Sequence, residues 1–96
     1  MDAHSLDEVR DNIDRLDRAI IGLMAERGRF VQQAARFKTS RSDVEAPKRV
    51  EQVIAKVRGL ATGAGLEPQV AEAAYRAMVG AFIEVEHAAF ERGAGR

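Results

Sequence analysis

Between Leu6 and Phe37 the apolar residues recur at steps of three and four, and no proline interrupts them. Leu6, Val9, Ile13, Leu16, Ile20, Leu23, Met24, Phe30, Val31, Ala34 and Phe37 make one stripe, the signature of an amphipathic helix. Ser5 followed by Glu8 forms a capping-box pattern at its start, so the spacing predicts a helix over about residues 5–38. A helix of that length is roughly 50 Å long. A compact domain of 96 residues has a radius of gyration of only about 12–13 Å. The remaining chain is too short to cover the stripe at both ends, so a second chain is expected to cover it. The expectation is an all-α fold: a three-helix protomer with one long N-terminal helix, intertwined as a homodimer helical bundle. The alternative is a first helix bent back on itself in a monomer.

The rest of the chain supports three helices in a single domain spanning 1–96. Thr39 to Ala46 is polar and loop-like. Pro47 suits the first position of a second helix, expected over 47–61 with Val50, Val53, Ile54, Val57 and Leu60 as its stripe. The run Thr62-Gly63-Ala64-Gly65 should stop it. A third helix is expected over 68–91, begun by Pro68, with a frayed tail from Gly93. No run of apolar residues resembles a leader or a membrane span. A soluble, cytoplasmic protein without membrane contact is therefore expected.

Charges occur inside these stripes. With about 100° per residue and Leu6 at zero, the first stripe centres near 300°. Arg27 falls at about 300° and Lys38 at about 320° on the same wheel, while Arg10 falls at about 40°. Arg27 has Leu23, Met24, Phe30 and Val31 as its helical neighbours, so its guanidinium should face the core or a cavity. A buried charge without a partner costs several kcal/mol. Arg10 points elsewhere and would flank the cavity of another subunit. Arg49 lies in the first turn of the second helix, on the flank of its stripe. Glu86 falls within the apolar arc of the third helix, beside Phe82, Ile83, Ala89 and Phe90, whereas Glu84 and Glu91 should face solvent. Arg27 and Glu86 could pair internally, with Lys38 snorkelling from a helix end. Otherwise, several cations and one carboxylate suit a small polyanion.

Other chemistry is poorly supported. The chain has no Cys, and Lys plus Arg balance Asp plus Glu at 15 each, without the basic excess of a nucleic-acid binder. The local cluster Lys38, Arg41, Lys48 and Arg49 is offset by acids. His4 and His87 lack metal-ligand spacing, and both are expected to be exposed. Ser5, Ser40 and Ser42 have no credible histidine base nearby.

Leu6-Asp7-Glu8-Val9-Arg10, Ile13-Asp14-Arg15-Leu16-Asp17, Leu23-Met24-Ala25-Glu26-Arg27 and Phe37-Lys38 together resemble the first helix of the all-α chorismate mutases. Ala46-Pro47-Lys48-Arg49-Val50 resembles the start of that family's second helix. The resemblance implies an intertwined dimer with two equivalent sites for a dianionic substrate, chorismate or isochorismate, and no cofactor or metal. It implies that Arg27 and the partner's Arg10 bind the two carboxylates, that Lys38 and Glu86 contact the ether oxygen, and that Arg49 organises the ring end. Two positions depart from the usual mutase pattern. Ala46 stands where an Asp is frequent, and Val50 where a Glu usually binds the ring hydroxyl. In these respects the chain is similar to isochorismate pyruvate-lyases of the same fold, although those usually have Gln at the position of Glu86. Mutases of 4-amino-4-deoxychorismate form a third branch, and a catalytically silent helical dimer or a plain interaction domain is the non-enzymatic alternative.

The mutase reaction is a unimolecular rearrangement. Catalysis would come from holding a reactive conformer and from stabilising the charge that grows on the breaking ether oxygen. Lys38 is the candidate for that second role.

Overall fold

The computed structural model describes residues 2–37 and 46–94. They form three helices: α1 over Leu6–Ala35, α2 over Pro47–Ala64 and α3 over Pro68–Ala94. The protein is all-α. None of its described helices is long and apolar enough to cross a membrane. The chain divides into two compact units, Met1–Gln33, which carries most of α1, and Ala34–Arg96, which carries α2 and α3.

α1 begins at the expected cap. The Ser5 hydroxyl accepts a hydrogen bond from the Glu8 backbone N–H at 3.1 Å. The Glu8 carboxylate in turn accepts from the His4 N–H at 3.1 Å, one residue outside the position of a standard capping box. Asp7 and Glu8 in the first turn also complement the positive end of the helix dipole. The helix runs without a break through Gly22 and Gly28 for 30 residues, or about 45 Å. It stops short of the expected Lys38: regular helix ends at Ala35, and a turn follows in which the Phe37 N–H donates to the Ala34 carbonyl at 3.0 Å.

α2 starts on Pro47, whose missing N–H leaves nothing unsatisfied at a helix's first turn. Ala46 before it has φ 36° and ψ 60°, a left-handed conformation that costs a residue with a Cβ roughly 1–2 kcal/mol. The helix continues three residues past the expected Ala61, because Gly63 is tolerated within it and Gly65 is the true terminator. Gly65 has φ 77°. Its N–H donates to the Thr62 carbonyl at 3.3 Å, and the Leu66 N–H donates to the Ala61 carbonyl at 2.8 Å. This pair of bonds is a Schellman motif, which needs a left-handed residue and so favours glycine. α3 likewise starts on a proline and runs three residues beyond the expected Glu91, to Ala94.

α2 and α3 form an antiparallel hairpin with its own small core. Val53, Val57 and Ala61 of α2 pack with Ala71 of α3, and Tyr75 lies against them. Val53, Val57 and Ala61 are spaced by four, along one ridge of the helix surface, and Ile54 is buried beside that ridge. Leu60, expected in the stripe, is off that ridge and exposed, and Ala61 is buried in its place.

An ionic network closes one edge of the hairpin. The Arg76 guanidinium donates to both Glu51 carboxylate oxygens, at 2.9 and 3.0 Å, and through Nε to Glu72 at 2.8 Å. Glu72 also accepts from Arg58 at 2.7 Å. Arg76 holds the Glu51 carboxyl below the usual carboxylate range, and Arg76 and then Arg58 do the same for Glu72. Arg76 itself is held more firmly protonated.

Candidate functional site

Arg10 and Arg27 both lie on α1. Arg10 is exposed and Arg27 is half-buried, next to the buried Gly28. Seventeen residues of helix separate the two arginines, which is about 25 Å along the axis. Two carboxylates of one small molecule cannot span that distance, so a single copy of α1 does not bring this pair to one ligand. Lys38 lies outside the described residues. Its place on the helical wheel presupposed regular helix through residue 38, and that helix ends at Ala35.

Glu86 is the buried charged residue among those described, at 6% exposure. Counting about 100° per residue from Ala71 puts Tyr75 at about 40° and Glu86 at about 60°. Glu86 thus continues the arc that carries the hairpin core, with Phe82 and Ile83 half-buried beside it. A carboxylate in such a place requires polar compensation. Glu84 and Glu91 face solvent, as expected. His87 differs from expectation: it is half-buried, because it lies next to Glu86 near the edge of the same buried arc.

Arg49 is exposed in the first turn of α2. With Ala46, Pro47, Lys48 and Gln52 it lines a shallow hollow at the helix start. With Val53 at zero, Arg49 falls at about 320°, Lys48 at about 220° and Gln52 at about 260°, one polar face beside the buried ridge. Gln52 was not singled out in the sequence; its signal was the three-residue step from Arg49. The pairing of Arg58 with Glu72 sets the hairpin register. Carried along α3, that register and the pairing of Arg76 with Glu51 bring Glu86 about one to two turns past the start of α2, and between about one and a half and two turns from the level of Arg49. The hairpin therefore brings Arg49 and Glu86 toward one end, with the left-handed Ala46 beside them in register. Among the described residues no group of His, Cys, Asp or Glu could hold a metal ion.

Comparison with known proteins adds two findings. The family model described as chorismate mutase type II matches residues 9–87. A protein of Pseudomonas aeruginosa named isochorismate pyruvate lyase is 29% identical over 82 residues, covering 85% of this chain and 81% of that protein.

Proposed function

The chain belongs to the chorismate mutase type II family, and from that premise we propose that it is an enzyme rearranging chorismate to prephenate in a site shared by two copies. The observation that carries this reading is the buried Glu86 at the end of the hairpin that also bears Arg49. A buried carboxyl group toward the same end of the hairpin as a cationic helix start suits a substrate with two carboxylates and an ether oxygen. Arg27 and the partner subunit's Arg10 would hold the carboxylates, Arg49 would orient the ring end, and Lys38 would meet the charge developing on the ether oxygen. Glu86 would contact the same oxygen. The substrate needs only to be held in a reactive conformer while its own electrons rearrange.

The dimer is supported by the face of α1. Leu6, Val9, Ile13, Leu16, Ile20 and Leu23 lie within about 100° of one another on the wheel, and each is between 40% and 64% exposed. Such a contiguous apolar face marks an association surface. The 25 Å between Arg10 and Arg27 gives the second copy a chemical role as well.

A second reading, isochorismate pyruvate-lyase activity, is favoured by the Pseudomonas aeruginosa relative and by Val50, which offers no carboxylate to a ring hydroxyl. Incubation with chorismate, isochorismate and 4-amino-4-deoxychorismate separately, with product identification, tests both. Prephenate from chorismate is the expected product. Salicylate and pyruvate from isochorismate alone would replace the first reading with the second, and no turnover of any of the three would overturn both.

A further inference from the structure

The network of Glu51, Arg76, Glu72 and Arg58 lies outside the candidate site. All of its side chains are substantially exposed, between 30% and 64%. Exposed ion pairs contribute little to stability, so energy alone does not account for a four-membered arrangement with a two-pronged arginine at its centre. Its geometry suggests another role. With Val53 at zero on the α2 wheel, the buried ridge of Val53, Val57 and Ala61 with Ile54 beside it spans about 0–100°. Glu51 at about 160° and Arg58 at about 140° stand on one flank of that ridge, and Arg49 at about 320° stands on the other. Two anchors about two turns apart therefore fix how far α2 is rolled about its axis against α3. At the turn end the buried face adds little to this, because Ala61 and Ala71 offer little to interlock.

We infer that this network is a roll lock for α2, and that Arg76, with Glu51, is a positioning residue that aims Arg49 from the opposite side of the helix. A roll of about 10° moves a group at the helix's outer radius of about 5–6 Å by about 1 Å. A misplacement of that size can reduce a rate by about 10²-fold. Arg76 suits the task because its planar fork holds direction as well as charge. The inference rests on the reading of Arg49 as a substrate-binding residue.

The test is a double-mutant cycle with a second readout independent of turnover. Arg76→Gln, and Glu51→Gln as the milder variant that leaves Glu72 paired with its arginines, are each made alone and combined with Arg49→Ala. In the chain with Arg49 intact, each is expected to lower kcat/KM, by about 10-fold for Arg76→Gln. Combined with Arg49→Ala, the further loss should shrink to less than about 2-fold, since the lock then has nothing to aim. The Nε–H resonance of Arg49 in nitrogen-labelled protein should shift in both single variants. Equal losses with and without Arg49 would make the network merely structural and overturn the proposal. So would an Arg49 resonance unchanged in both variants, whatever the turnover. If the wild-type protein turns over none of the three substrates yet the resonance moves, the proposed function fails and the roll lock stands.

Discussion

A charged residue inside an apolar stripe is legible from spacing alone, and Glu86 shows how far that reading reaches. The three-and-four pattern placed it on the buried arc of the third helix, and it is buried there. Its place leads to a prediction: Glu86→Gln, which keeps a polar group for the ether oxygen, should retain turnover, whereas Glu86→Ala should lower kcat; equal rates in the two variants would remove Glu86 from the mechanism. Lys38→Ala should lower kcat by about 10²–10³-fold, the usual effect of removing one preorganised donor, and retained helicity by circular dichroism would separate that loss from unfolding. Gly65→Ala should lower Tm through a left-handed strain of roughly 1–2 kcal/mol. Ala46→Gly relieves the same strain at its own position, so its Tm should hold or rise. Ala46 could not have been identified as left-handed from sequence, since nothing about an alanine before a proline signals that conformation.

The starts of the helices were legible and their ends were not. Ser5, Pro47 and Pro68 are local signals that act on the turn they begin. Termination depends on which of several candidates the chain uses. Gly63 and Gly65 are equivalent by type, and only the bonds from Gly65 and Leu66 back to Thr62 and Ala61 decide between them. The ion network was invisible for a related reason. Glu51 and Arg76 lie 25 residues apart, and only the hairpin register joins them. The depressed carboxyls of Glu51 and Glu72 couple that register to pH. Their contribution is fully present above the ordinary carboxylate value of 4.5 and is lost as pH falls through the lower folded values. Acid titration followed by circular dichroism should therefore show wild-type stability falling more steeply in that range than in Arg76→Gln. Parallel curves would mean that the network does not couple to folding. The same contrast should narrow at high salt, because these pairs are exposed.

For the whole molecule, the length of α1 drove the first expectation, and its exposed apolar face supports the dimer proposed above. Ile13→Asp or Leu16→Asp should yield monomers by sedimentation and abolish turnover together; a monomer that retains full activity would break the link between assembly and catalysis. A mixing experiment addresses the shared site directly. Arg10→Ala and Arg27→Ala chains should each be inactive. When they are mixed and refolded, half of the dimers pair the two variants and regain one intact site of two, so activity should return to about a quarter of wild type. No recovery would place both arginines in the same subunit's site. What the sequence could not disclose is which chain supplies each residue, because a helical wheel fixes direction around an axis and is silent about the neighbour found there.

The hairpin of α2 and α3 carries its own core, its own turn and its own ionic edge, all from residues close together in the chain. Contacts of that kind form quickly and on first order. In the proposed dimer the apolar face of α1 would, by contrast, wait for an encounter whose frequency depends on how many copies are present. A newly made chain would thus pass through an interval in which half of its architecture is settled and its chemistry is absent. In dilute conditions that interval lengthens, and the protein's output would rise more steeply than its abundance.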